Sequence, residues 1–300
     1  MKKIIWITIT AVFVTSCHSQ NNDEQPWKAV VKVVNESGKP MEGTDVTIGY
    51  YVQPPEGQTI ATSSTKGKTD ANGSFSATGK TRSTDLFLGA GKDGYYRSHY
   101  DYELGLPMTY DPAKWNIEKT LVLKKIGRPA AMYAKHILQL KIPEFNKAIG
   151  FDLMIGDWVG PYGKGVNADL LFTQHHTNPQ SGYPITLSFP NSGDGIQEFA
   201  LQESDKGSGL RSGHEAPSDG YQATIAQTVM TNPNRNFYFR VRTKLDENGK
   251  IVSARYGKIY GDLAQFTYYY NPTPNDRNIE FDPKQNLLGG LKSFESVSAP

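Results

Sequence analysis

Short runs in which apolar and polar residues alternate, each ended by a turn rich in Gly, Pro, Asn or Asp, recur along almost the whole chain. Residues 44–52 are the clearest. Val46, Ile48, Tyr50 and Val52 fall on one face, and Asp45, Thr47, Gly49 and Tyr51 on the other. A period of two places alternate side chains on opposite faces of a strand, so this pattern predicts a half-buried β-strand. No stretch keeps a convincing helical period. The 29 Gly and 18 Pro supply turn residues, and 17 Tyr and 13 Phe join runs of Val, Ile and Thr that suit pleated surfaces. An all-β chain is expected.

At 300 residues the chain has room for two domains. Strand-like runs at 27–34, 44–52, 60–69, 74–78, 85–90, 95–100 and 120–124 make a first β-sandwich over residues 27–126. Gly127-Arg128-Pro129 marks the boundary. Residues 130–135 could pass for a helix start. Further runs at 136–142, 151–158, 168–175, 183–189, 196–203, 221–230, 236–245, 250–260, 263–270 and 278–281 follow. They predict a second, jelly-roll-like sandwich over residues 127–283, with a loose tail at 284–300.

Four stretches of the first half carry a resemblance, in order: residues 33–46, which include Gly38, Pro40 and Gly43; residues 68–75, around Asp70-Ala71-Asn72-Gly73; residues 92–96, around Asp93-Gly94-Tyr95; and the closing Leu121-Val122-Leu123. Together they resemble the carboxypeptidase regulatory-like domain, a transthyretin-like sandwich, with residues 104–118 interrupting the pattern as an inserted loop. The resemblance implies an accessory, non-catalytic domain. It does not bring a peptidase with it. No His is followed three residues later by Glu, and no His-Glu-x-x-His occurs. Asp70-Ala71-Asn72-Gly73 lacks the later carboxylates of a calcium loop and reads as a turn.

The N-terminus reads as a targeting segment. Lys2 and Lys3 precede an uncharged apolar run at residues 4–14. As a helix this run would span about 16 Å, too short for a hydrocarbon core of roughly 30 Å and suited to a signal peptide. Val14-Thr15-Ser16-Cys17 resembles the lipobox of bacterial lipoproteins, which implies removal of residues 1–16 and acylation of Cys17, the only cysteine. Two or more acyl chains anchor a protein stably where one holds marginally. Residues 17–26 then form a polar tether, and its Gln20-Asn21-Asn22-Asp23-Glu24 core is similar to short acidic tags that carry some lipoproteins to the outer leaflet. The expected place is the cell envelope, at the outer membrane. Without Lys2 and Lys3, Lys plus Arg falls from 32 to 30 and equals the 30 acids. A neutral chain exerts no global pull on nucleic acid, and that class is excluded. No cofactor is expected.

The candidate site residues lie in the second half. Asn248-Gly249 suits a two-residue hairpin turn between residues 236–245 and 250–260. In that register Phe237, Phe239, Val241, Thr243, Leu245, Val252, Ala254 and Tyr256 face the core. Tyr238, Arg240, Arg242, Lys244 and Arg255 share the opposite face, with Arg242 across from Arg255, or Arg240 across from it if the loop has four residues. Opposed like charges call for an anion nearby. The choices are a neighbouring carboxylate or an acidic ligand such as a uronic-acid or sulfated glycan or a lipid phosphate, with Tyr238 stacking on a sugar ring or a guanidinium. Tyr269, on the far face of Tyr268-Tyr269-Tyr270, offers a sugar-stacking ring or an exposed core-strand Tyr. Trp158 and Tyr162 flank a Gly-rich loop that could line a pocket. His175 with Asp157 and Asp169 would suit a metal or acid–base site. Ser212-Gly213-His214-Glu215 sits in a loop without a nucleophile elbow. The expected function is a lipid-anchored, non-catalytic binding or adaptor module for an acidic glycan or an envelope protein. The alternatives are a carbohydrate-active or metal-dependent hydrolase with its site in the second domain, and a structural spacer.

Overall fold

The computed structural model describes residues 24–52, 61–176, 183–228, 232 and 234–300. The signal segment, Cys17 and tether residues 18–23 lie outside the described residues. Among the described residues the chain is almost entirely β, and no helix is long and apolar enough to cross a membrane.

The first sandwich packs a three-stranded sheet on a four-stranded one. Strands β1 (Gln25–Asn35), β4 (Ser74–Thr81) and β7 (Asn116–Leu123) form the order β4-β1-β7, with β1 and β7 parallel. Strands β2 (Asp45–Val52), β3 (Ala61–Lys68), β5 (Asp85–Gly91) and β6 (Ser98–Glu103) form the antiparallel order β3-β2-β5-β6. The alternation read from the sequence decides the core. Trp27, Ala29, Val31 and Val33 of β1 meet Val46, Ile48, Leu86, Leu88 and Ala90 across the interface, and all are buried. The expected insertion holds a single helical turn, α1 (Pro112–Trp115). The Asp111 side chain caps it, accepting from the Ala113 N–H, and Trp115 plugs one end of the core.

The second sandwich pairs a five-stranded sheet with a six-stranded one. The first holds β10 (Asp157–Trp158), β9 (Ile149–Asp152), β11 (Leu170–Gln174), β12 (Ile185–Ser188) and β14 (Thr224–Gln227) in that spatial order. The second holds β13 (Gly195–Glu198), β15 (Asn236–Leu245), β16 (Ile251–Gly261), β17 (Phe266–Asn271), β8 (Ala130–Ile137) and β18 (Phe281–Asn286). Phe151, Phe172 and Leu187 pack against Phe237, Phe239, Phe266, Tyr268 and Tyr270 between the sheets.

Two expectations about this half are corrected. The stretch that could start a helix is strand β8, which lies between β17 and β18 and buries Met132 and Ala134 completely. The expected loose tail is docked. Strand β18 pairs with β8, the Lys135 ammonium holds Glu295 at 3.1 Å, and the Tyr269 hydroxyl donates to the Ala299 carbonyl at 3.1 Å.

Candidate functional site

The hairpin that organised the predicted basic face forms with a different register. Its loop has three residues. Asp246 N–H donates to the Lys250 carbonyl, Gly249 N–H donates to the Asp246 carbonyl, and Gly249 takes φ +77°. A three-residue loop with Gly in the left-handed region shifts the pairing by one, and a shift of one exchanges the faces of a strand. A second irregularity lies between Val241 and Lys244, where Arg242 itself adopts φ +54°. As a result Val241 pairs with Arg255, and Arg240 pairs with Tyr256. Ala254 and Tyr256 face away from the main core, and Val252 is exposed.

The arginines are thereby dispersed. Arg240 lies over the Tyr221 ring, 4.7 Å from its centroid, and donates to the Gly193 and Ser218 carbonyls at 2.8 and 3.2 Å. Arg255 donates to the Pro272 carbonyl at 3.0 Å. Arg242 grips both oxygens of Asp169 at 2.6 and 2.9 Å and stands 3.6 Å from Asp152. That bidentate carboxylate keeps the guanidinium protonated far above its ordinary range. Arg242 and Asp169 line a hollow of about 450 Å³ with Asn167, Asn191 and Lys244. Tyr238 stacks on Phe199 with centroids 4.1 Å apart and accepts from the Gly213 N–H.

The other candidates are taken up by packing. Tyr269 is 3% exposed beneath Phe281 and Tyr260, so it presents no ring face to a ligand. Trp158 is half-buried, edge-on to Phe151 and Phe172. The Tyr162 hydroxyl bonds Glu144 and accepts from Lys147 at 2.6 Å. His175 bonds Thr186, and Asp157 accepts from the Trp158 and Lys164 N–H groups. The three groups of the suggested acid–base site therefore do not converge. Among the described residues no group of three or more His, Cys, Asp or Glu side chains gathers as a metal centre would.

A polar junction between the sandwiches, absent from the sequence reading, is the most densely connected cluster. Glu280, just before β18, is 2% exposed. One of its oxygens accepts from the Tyr96 hydroxyl at 2.8 Å and the Gly127 N–H at 3.0 Å. The other faces the Arg128 N–H at 3.3 Å and His214 Nδ1 at 2.5 Å. Burial opposes the charge, but the bonds from Tyr96, His214, Gly127 and Arg128 outweigh it and hold the carboxyl below its ordinary range. Burial, with the Glu280 carboxylate alongside, pushes the Tyr96 phenol far up. The second ring nitrogen of His214 stands 3.1 Å from Glu36, whose other oxygen accepts from the Lys125 N–H. A Cβ on Gly127 would sit 2.4 Å from a Glu280 oxygen, so only glycine admits this approach.

Deeper in the junction, Lys124 bonds Asp205 and the Ser212 carbonyl, both at 2.9 Å. Lys258 is fully buried and bonds only the Ser212 hydroxyl, at 3.1 Å, between the rings of Tyr260 and Tyr269. Burial, with Arg211 nearby, drives its ammonium well below the usual lysine range. A local signal for this cluster existed in Gly127, at the boundary. The rest join residues up to 184 positions apart.

No family model matches the chain, and no curated protein does. Among solved structures it is similar to 3-chlorocatechol 1,2-dioxygenase from Rhodococcus opacus 1CP, at 12% identity and TM-score 0.26. That likeness covers 34% of this chain and 60% of the dioxygenase. It is also similar to the shaft pilin SpaA of Lactobacillus rhamnosus GG, at 16% identity and TM-score 0.25, over 58% of this chain and 90% of the pilin. The major pilin SpaD of Corynebacterium diphtheriae follows at 10% identity and TM-score 0.25, over 82% of this chain and 56% of that one. These likenesses assign no function.

Proposed function

We propose that this chain is a lipid-anchored protein of the bacterial cell envelope, acting as a non-catalytic binding or adaptor module for a glycan or a partner protein. In this reading Cys17 carries the acyl chains at the outer membrane, and the first sandwich is a transthyretin-like accessory domain of the carboxypeptidase regulatory-like kind. The observation that carries the binding role over a hydrolytic one is what the buried acids do. Asp152 accepts from the Met154, Ile155, Val166 and Asn167 N–H groups. Asp169 holds Arg242 and the Leu153 N–H, and Asp194 holds the Thr243 N–H. Glu280 joins the domains. Each carboxylate builds loop or junction structure, whereas a hydrolase needs one free to move a proton.

Metabolic labelling with radioactive palmitate tests the anchor: label in the mature chain supports it, and an unlabelled chain that washes into the soluble fraction sinks it. A glycan array with the mature protein tests the ligand class, and binding there would favour a glycan over a protein partner. Turnover of a glycan substrate that disappears in Asp169→Asn would replace this reading with the hydrolase.

A further inference from the structure

The end of the first sandwich from which the tether leaves carries a hollow of about 460 Å³, lined by Pro26, Trp27, Lys28, Thr78, Gly79, Lys80, Tyr110 and Asn116. Its charges are of one sign. Lys28 and Lys80 are exposed and make no ion pair among the described residues, and no carboxylate lines the hollow. Strand pairing sets Lys28 opposite Thr78 and Lys80 opposite Pro26, so the two ammonium groups are diagonal neighbours on the outer face of β1 and β4. The next acid along that face, Glu118, is already held by Lys32. Trp27 also lines the hollow. It is 3% exposed, and its indole N–H has no acceptor among the described residues. An unpaired buried donor beside two free cations suits an acceptor-rich anion.

Two facts distinguish a membrane headgroup from a dissolved anion. Eight residues separate Cys17 from Gln25, a reach of at most about 28 Å, so an anchor at Cys17 holds this end against the bilayer. Beside the hollow, Tyr110 bonds the Pro26 carbonyl, and in the same loop Leu106 is 54% exposed. An apolar side chain next to free cations suits a surface where headgroups meet acyl chains.

We propose that this hollow binds the phosphate of a membrane lipid headgroup, with Lys28 and Lys80 as the charged contacts and the Trp27 N–H as a further donor. The proposal rests on the anchor reading above. It fixes which end of the molecule faces the bilayer.

The test is lysine footprinting with an amine-reactive reagent on the mature, full-length protein. Vesicles of pure phosphatidylcholine are compared with vesicles that also contain phosphatidylglycerol. Labelling of Lys28 and Lys80 should fall about five-fold in the anionic vesicles and recover in high salt. Lys250, in the far hairpin turn, should not change. Amide exchange across Gln25–Asn35 and Ser74–Thr81 should slow with anionic lipid in the wild type and not in K28Q/K80Q. Equal labelling in the two vesicle types overturns the inference and leaves the anchor standing. A protein that fails to float with either vesicle overturns both. Protection of the detergent-solubilised protein by inorganic phosphate or a soluble polyuronate, with none from vesicles, moves the site to a dissolved anion or a glycan and overturns the lipid assignment.

Discussion

Replacing Glu280 with Gln should loosen the two sandwiches from each other. The carboxylate offers two acceptor atoms, and each one faces two donors: Tyr96 with Gly127, and Arg128 with His214. A carboxamide keeps one acceptor and turns the other into an N–H pair aimed at two donors. Hydrogen bonds to a charged group contribute about 1.5–3 kcal/mol each, and two are lost. The Arg128 contact is long and the site can relax, so the low end applies, about 3 kcal/mol. Urea unfolding followed by hydrogen exchange, read separately for each sandwich, is the assay, because two domains need not unfold in one step. The amides of Gly127 and Arg128 should lose protection first.

The pH dependence makes the test sharper. Glu280 is held below its ordinary range in the fold, so the unfolded chain binds its proton more readily. The stabilisation is complete above the unfolded carboxyl value of about 4.3 and is lost as the pH falls through the folded one. The gap between wild type and Glu280→Gln should therefore be full at neutral pH and shrink in acid below the usual carboxylate range. A gap that stays constant into acid, or unchanged exchange at Gly127 and Arg128, would refute the assignment of Glu280 as the carboxylate that joins the domains.

Other substitutions separate packing from permissiveness. A Cβ on Gly257 would stand 2.2 Å from the Phe239 ring and from the Tyr269 carbonyl oxygen, whereas one on Gly89 would meet nothing nearer than 3.9 Å. Gly257→Ala should cost about 3 kcal/mol in thermal or urea unfolding, while Gly89→Ala should be neutral or gain up to about 1 kcal/mol. Asp169→Ala leaves the Arg242 guanidinium and the Leu153 N–H unpaired and should cost about 3 kcal/mol, measured by urea midpoint. Lys258→Met should stabilise the protein by about 1–3 kcal/mol at neutral pH, since it removes an amine buried without a counter-charge. The folded lysine titrates below the unfolded one, so wild-type stability rises with pH up to the ordinary lysine range, and the advantage of Met should narrow by about pH 10.

The all-β architecture was legible because most strands bury only one face. Val46, Ile48 and Tyr50 alternate with Asp45, Thr47 and Gly49, and the fold obeys that alternation. Strand β8 was illegible for the opposite reason. It is flanked on both edges, and Ala130, Ala131, Met132 and Ala134 carry a helical bias that tertiary pairing overrides. The hairpin failed at a finer level. Its two strands were evident, but one residue in the loop and one left-handed Arg242 decide which side chains share a face. The junction left almost no trace in the sequence. Glu36, Tyr96, His214 and Glu280 sit in four separate loops, and each looks locally like any exposed polar residue.

That junction also answers a problem posed by the first sandwich. Strand β6 ends its sheet, and a bare edge strand is a template for pairing with another chain. Here the second domain supplies the cover. The His99 N–H donates to the Gly207 carbonyl, the Gly209 N–H donates to the Arg97 carbonyl, and Lys124 clamps Asp205 at the base of the same loop. The fit admits only glycine at 207, where a Cβ would lie 1.6 Å from the His99 carbonyl oxygen. The loop that reads as flexible in the sequence is thus the continuation of the first domain's sheet. With the edge paired on one side of the contact and Glu280 holding Tyr96 and the Gly127–Arg128 linker on the other, rotation of one sandwich against the other would break backbone hydrogen bonds and a buried carboxylate network together. A tether at one end and a fixed angle at the junction would then hold the second sandwich at a set orientation to the membrane, which an adaptor needs and a hinged spacer does not.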